Sequence, residues 1–252
     1  MRKSNKIENL SIVIPVYNEQ NNIAVLVKEI KKNISSSIKY EIIIVDDGST
    51  DNTLKELKLL CKRYKDIIVI KHKKNYGQSI SIRSGILSSK KDFILTLDGD
   101  GQNDPRDIQK LLNKFNDTKD FYLVIGNRTK RNDTFGKKLA SRLAFFLRQL
   151  IFADKTPDTG CAMKVFKKED FLLLPFFNHI HRFFPILFMN YGGTVFSVSV
   201  SHRKRLTGYS KYTNFQRALV GIYDLIGVVW LSKRSYSPKF IEEKKFISNK
   251  EK

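Results

Sequence analysis

Cysteine is almost missing from this sequence: Cys61 and Cys161 are the only two in 252 residues. Two thiols so far apart supply neither a disulfide framework nor a metal-ligand spacing, and a reducing, cytoplasmic setting is the expectation. Long apolar runs are missing as well. No stretch reaches the roughly 18 apolar residues of a membrane span, and the best candidate, Ile222 to Leu231, is interrupted by Asp224. Met1 to Asn9 is polar and leads directly into a strand-like segment, so no signal peptide is expected. A glycine-rich phosphate loop is also lacking. Pro15-Val-Tyr-Asn-Glu19 stands where a Walker or Rossmann loop would follow the first strand, which argues against a kinase, ATPase or dehydrogenase. Acids are scarce: 25 Asp and Glu face 46 Lys and Arg, a net charge of +21. That balance calls for an anionic partner, whether phosphorylated substrate, phospholipid headgroup or nucleic acid. A basic nucleic-acid-binding module is the remote alternative; the chain carries no nucleic-acid recognition motif, and none is expected to bind.

What is present is a regular α/β pattern. Leu10 to Val16, Glu41 to Val45, Ile67 to Ile70, Phe93 to Leu97 and Phe121 to Ile125 are short apolar runs that read as strands. Helical spacings separate them. Ile23, Leu26, Val27 and Ile30 form one stripe, and Asp51 to Tyr64 places Leu54, Leu57 and Cys61 inward. Gln78 to Ser88 follows, then a helix opened by Pro105, where a missing N–H costs nothing. Repeated βαβ units predict a mostly parallel, Rossmann-like sheet with helices on both faces. Beyond it lies a basic, apolar helical region. Phe135 to Phe152 and Tyr212 to Leu231 read as helices, Val195 to Val200 as a strand, and Phe176 to Phe188 as a hydrophobic lid or acceptor-side surface. The expected division is a polar tail over 1–9, one domain over 10–234 with halves at 10–130 and 131–234, and a charged tail over 235–252.

In open α/β sheets, ligands bind beyond the carboxyl ends of the strands. Asn18-Glu19, Asp46-Asp47 and Asp98-Gly99-Asp100 all fall at such ends, which brings acids from separate segments to one edge. Two carboxylates spaced by one glycine suit a hard divalent cation, Mg2+ or Mn2+, shared with substrate phosphates. His179, His181 and His202 lack metal-site spacing and are not expected as ligands. Cys161, beside Gly160, reads as a core filler.

Four segments then carry a resemblance: Ser11-Ile-Val-Ile-Pro-Val-Tyr-Asn-Glu19, Val45-Asp-Asp-Gly-Ser-Thr-Asp51, Asn75-Tyr-Gly77, and Leu97-Asp-Gly-Asp-Gly-Gln102 with Asp104-Pro105. In this order the chain resembles glycosyltransferase family 2 of the GT-A fold. Gly126-Asn-Arg128, Asp158-Thr-Gly160 and Arg205-Leu-Thr-Gly-Tyr-Ser-Lys-Tyr212 are similar to the polyprenyl- and dolichyl-phosphate sugar synthases of that family. The resemblance implies an inverting, metal-dependent transferase using a UDP- or GDP-sugar. Pro15, Tyr17 and Glu19 would line the nucleotide pocket, and Asp46 or Asp47 would receive the base. Asp98 and Asp100 would handle metal and diphosphate, with Gln102 a further ligand. Arg128 and Arg205 would face phosphates.

The acceptor follows from charge. A phosphate monoester is already anionic near neutral pH, with a second pKa of about 6, and needs cations more than a base. His202 to Tyr223 contains no acid but includes Arg203, Lys204, Arg205, Lys211 and Arg217. Arg128 to Arg148 holds Asp133 alone against Lys130, Arg131, Lys137, Lys138 and Arg142. Guanidinium groups bind phosphate bidentately, so Arg128, Arg142 and Arg205 are the favoured clamps, joined by Ser210 and Lys211. Basic helices with bulky apolar residues also suit the anionic cytoplasmic face of a membrane. The alternative is a family 2 transferase acting on a hydroxyl, which needs a general base; Asp158 is the late candidate.

Overall fold

A computed structural model describes residues 7–117, 121–128, 145–146, 148–203 and 214–234, with side-chain detail in the last stretch from Val220 onward. Among the described residues seven strands form one sheet: β1 (Asn9–Val16), β2 (Lys39–Asp46), β3 (Ile67–Lys71), β4 (Phe93–Thr96), β5 (Tyr122–Arg128), β6 (Lys164–Lys167) and β7 (Thr194–Val200). Their order is β3-β2-β1-β4-β6-β5-β7. β1 pairs in parallel with β2 and β4, β2 with β3, and β5 with β7. Of these seven, β6 runs antiparallel, wedged between β4 and β5. The mostly parallel sheet is as the repeats predict; β6 is an addition. Four residues bounded by lysines carry too little periodicity to announce a strand, and two neighbours remote in sequence make it one.

Helices cover both faces. α1 (Ile23–Asn33), α2 (Thr53–Arg63) and α4 (Ile108–Asn116) pack on one side, where Leu10, Ile12 and Ile14 of β1 point. Val13, between them, faces the other side, with α3 (Gln78–Ser88), α5 (Lys168–Leu172), α6 (Phe184–Asn190) and α7 (Asn214–Arg234). Alternate residues of a strand serve opposite faces, which is why one short run feeds two cores. The stripe read for α1 is fully buried, each side chain contributing about 1.5–3 kcal/mol. In α2 the residues that bury are Thr53, Leu57 and Leu60, while Leu54 and Cys61 stay partly covered.

Of the stretch Phe176 to Phe188, Phe183 to Phe188 is core rather than lid, while Phe176 and Phe177 stay half-buried and Asn178 is exposed. Ile180, Phe183, Phe184, Ile186, Leu187 and Phe188 are buried, and Phe184 and Phe188 both pack on Phe166 of β6. Aromatic density marks a lid and a core alike; the second helical layer decides in favour of core. Residues 145–146 and 148–152 are helical; the rest of the expected Phe135–Phe152 helix lies outside the described residues. Among the described residues no helix is long and apolar enough to cross a membrane.

Close packing of α3 on the sheet makes a specific demand. A Cβ at Gly85 would stand 2.4 Å from Val13 Cγ1 and 3.2 Å from Val45 Cγ2. Alanine improves helix propensity by about 1 kcal/mol, but overpacking a rigid strand costs about 1–3 kcal/mol. Gly85→Ala is therefore expected to lower the urea midpoint without changing the slope; a raised midpoint would refute this packing.

Candidate active site

The carboxyl ends of β1, β2 and β4 lie side by side. Val16 is registered with Asp46, and the chain leaves β4 with Leu97 N donating to Val13 O at 3.1 Å. The three acidic segments therefore meet at one edge, and their loops interlock. Asn18 N donates to Ser49 Oγ, Glu19 N to Thr53 Oγ1, and Thr50 N to Asn18 Oδ1. Gly48 adopts φ +73, and a Cβ there would fall 2.5 Å from the Lys74 carbonyl carbon, so the 72–77 loop can lie directly on the β2 turn. Pro15 and Tyr17 are half-buried beside this turn. Glu19 is buried, its Oε2 accepting from Asn22 Nδ2 at 2.6 Å at the entry to α1.

Asp46 and Asp47, equivalent in the sequence, separate here. Asp47 is buried and fully engaged. Its Oδ1 accepts from Tyr76 N at 2.9 Å and meets His72 Nδ1 at 2.8 Å, while Oδ2 accepts from Gly77 N at 2.8 Å. It braces the Asn75–Gly77 turn. Asp46 is also buried; its Oδ1 accepts from Ser49 N at 3.0 Å, and among the described residues its Oδ2 has no hydrogen-bond partner. An orphaned carboxylate oxygen is costly to bury, and a ligand N–H would satisfy it.

One residue beyond the braced turn, Gln78 Nε2 donates to Asp98 Oδ1 at 2.7 Å. The chain from Asp47 to Asp98 thus needs only Gly77 and Gln78. Gly99 sits where a Cβ would be 2.5 Å from Val16 Cγ1, so the Asp98–Asp100 turn presses against β1. Asp100 is buried, its Oδ1 accepting from Gln102 N at 3.1 Å. Gln102 Nε2 lies 3.4 Å from His202 Nε2, and Asn103 bridges to His202 across the sheet end. His202 is a participant that spacing along the chain does not reveal, because its neighbour is a hundred positions away. Arg203 fastens this contact. It donates to Glu29 at 2.7 Å and to Asp104 at 2.6 Å, so it is an anchor rather than a free cation for phosphate. Burial would raise the Asp104 carboxyl, yet Arg106 and Arg203 hold it well below the usual carboxylate range. Among the described residues no three His, Cys, Asp or Glu side chains form a ready metal cage. Two carboxylates and an amide on a glycine turn instead fit a cation whose remaining ligands come from substrate phosphates.

Arg128, at the end of β5, is already paired. Its Nε and Nη2 donate to Asp158 Oδ2 and Oδ1 at 2.6 and 2.8 Å, and its main-chain N adds a 3.3 Å bond. Burial opposes the charge, but the carboxylate raises the Arg128 pKa further still. Beneath this pair lies Lys164, buried, with Nζ donating to Cys161 O. Burial pushes its pKa down to about 8, against the pull of Cys161, Asp98 and Asp158. A lowered lysine favours the neutral form in the fold, so its contribution to stability rises with pH from about 8 toward 10.5. No sequence pattern marks Lys164; only the antiparallel β6 carries it under the site. Cys161 is a buried core residue, as expected. Arg142, Arg205, Ser210 and Lys211 lie outside the described residues.

Residues 11–173 match the profile described as Glycosyl transferase family 2. The undecaprenyl-phosphate 4-deoxy-4-formamido-L-arabinose transferase of Yersinia enterocolitica is 33% identical over 232 residues, covering 90% of this chain and 69% of the relative. The chain belongs to glycosyltransferase family 2. The dodecaprenyl-phosphate galacturonate synthase of Rhizobium johnstonii is 30% identical over 234 residues, with 91% and 69% covered. Solved structures of low identity share this transferase's fold. Mannosyl-3-phosphoglycerate synthase from Rubrobacter xylanophilus superposes with a TM-score of 0.68 at 15% identity, covering 91% of this chain and 76% of that one. Glucosyl-3-phosphoglycerate synthase from Mycobacterium tuberculosis, solved with Mn2+, UDP-glucose and phosphoglyceric acid, gives 0.66 at 16% identity, with 91% and 82% covered. In this family 2 transferase the acidic edge described above is accordingly the candidate active site.

Proposed function

We infer that this family 2 transferase moves a sugar from a UDP- or GDP-sugar to a polyprenyl phosphate, with inversion, at the cytoplasmic face of a membrane. The observation that carries the reading is the match, over nine-tenths of the chain, to relatives named for undecaprenyl- and dodecaprenyl-phosphate. The site supports it. Asp46 Oδ2, buried and without a partner among the described residues, is an acceptor suited to a base N–H. Asp98 and Asp100, with Gln102, would hold Mg2+ or Mn2+, which when bound offsets the negative charge growing on the departing diphosphate. The hydroxyl-acceptor alternative loses ground, since both oxygens of Asp158 already accept from Arg128. Arg128 and Asp158 then serve together as a rigid wall, and phosphate capture falls to Arg142, Arg205, Ser210 and Lys211. A thermal-shift panel of nucleotide sugars with and without Mn2+, followed by transfer of labelled sugar to a short polyprenyl phosphate, tests this reading. Incorporation only into free glycans would refute it.

The membrane part rests on α7. Its Val228 is buried and its Asp224 is tied to His179, yet Ile222, Tyr223, Ile226 and Trp230 are exposed, followed by Lys233 and Arg234. Tyr223, Ile226 and Trp230 recur at helical spacing, so bulky apolar side chains and cations share one outward stripe, the composition of an interfacial helix. Replacing Ile226 and Trp230 together by Glu is expected to cut co-sedimentation with phosphatidylglycerol vesicles about tenfold or more. Equal sedimentation of both proteins would sink the membrane assignment.

A further inference from the structure

We propose that His72, oriented by Ser84, is a positioning residue that sets the shape of the Asn75–Gly77 turn and thereby the nucleotide end of the acidic edge. The inference rests on the donor-binding reading of that edge.

Four contacts make His72 a junction. Its main-chain N donates to Asp46 O at 2.8 Å, continuing the pairing of β3 with β2. Its Nδ1 lies 2.8 Å from Asp47 Oδ1, and its Nε2 lies 3.0 Å from Ser84 Oγ on α3. The edge of its ring meets Tyr76 with centroids 5.5 Å apart at 83°. The side chain is only 11% exposed. Asp47 accepts and cannot donate, so Nδ1 carries a proton. In the neutral ring Nε2 is then the acceptor and the Ser84 hydroxyl donates to it, the Asp47 carboxylate having selected the tautomer.

The consequence reaches both ends of the donor site. Asp47 holds the N–H groups of Tyr76 and Gly77, and His72 holds Asp47 in the orientation that does so. Gly77 immediately precedes Gln78, whose amide grips Asp98. On the other side, the same histidine is bonded to the main chain of Asp46, whose buried Oδ2 has no partner among the described residues. One imidazole therefore fixes the spacing between the base-facing and diphosphate-facing carboxylates. A side chain of equal bulk without a donor keeps the packing but lets Asp47 turn.

The test compares His72→Leu, His72→Asn and Ser84→Ala in the full chain. Titration with UDP and with GDP in the presence of MnCl2 is expected to show about tenfold weaker binding for His72→Leu, the scale of one lost charge-assisted hydrogen bond. Asn places its amide donor where Nδ1 stood, so His72→Asn should restore most of the affinity. Ser84→Ala should fall between. A general packing role predicts no rescue by Asn. Amide hydrogen exchange supplies a readout that needs no substrate: exchange at Tyr76 and Gly77 should quicken in His72→Leu while that of β1 stays unchanged. Binding by the wild-type protein with unaltered affinity and unaltered exchange in His72→Leu overturns the inference alone. Failure of the wild-type protein to bind either nucleotide overturns the donor-site reading, and the exchange result still decides what His72 does to the turn.

Discussion

Asp100→Asn is expected to reduce sugar transfer by about 10²- to 10³-fold, the usual scale for removing one electrostatic contact to a transition state. The substitution is chosen for what it preserves. Asn keeps an oxygen to accept from Gln102 N, the 3.1 Å bond that shapes the turn, and it fills the same buried volume. It removes one negative charge from the Asp98–Asp100 turn. Thermal stability should consequently move little while turnover collapses, and excess EDTA should silence the wild-type enzyme to a similar degree. Full activity in either case would dismantle the assignment of Asp98 and Asp100 to the donor diphosphate.

Asp158→Ala is expected to cost about 3–5 kcal/mol of folding stability, because it strands a buried guanidinium. Arg128 is 15% exposed and Asp158 5%, so water cannot replace the two side-chain bonds that are lost. For a chain of this length the loss corresponds to a fall in melting temperature on the order of 10 °C. Removing both partners should hurt less than removing the carboxylate alone. Arg128→Met added to Asp158→Ala is expected to recover part of the stability, since no uncompensated charge remains. Urea unfolding of the two single variants and the double variant measures the coupling. If the double variant loses the sum of the single losses, the pair is not the unit described here.

The two readings of Asp158, base or brace, illustrate how much of the site was legible beforehand. The residue stands out in the sequence as a carboxylate beside Thr159 and Gly160, and its chemistry is evident. Its partner is not, because Arg128 lies thirty positions earlier, at the end of β5. Asp46 and Asp47 pose the same difficulty at closer range. Neighbouring residues at a strand end point in different directions, and the donors that occupy Asp47 come from His72, Tyr76 and Gly77. Position in the chain carries no record of those bonds. Arg203, by composition one more cation in a basic stretch, is consumed by Glu29 and Asp104. His202 shows the converse: no local spacing recommends it, yet the fold delivers it to Gln102.

The sequence by itself determined the alternating strands and helices of the first half, the convergence of acids at strand ends, and the family. These are local properties. The apolar periodicity of a strand or helix, and motifs such as Asp98-Gly99-Asp100, are complete within a few neighbouring residues. Only the tertiary structure decided that β6 runs antiparallel between β4 and β5, that Phe183 to Phe188 is core, and which charged groups are spent on one another. Those outcomes depend on register and on layers built from distant segments, where a single buried hydrogen bond or ion pair commits a side chain that would otherwise be free for a ligand.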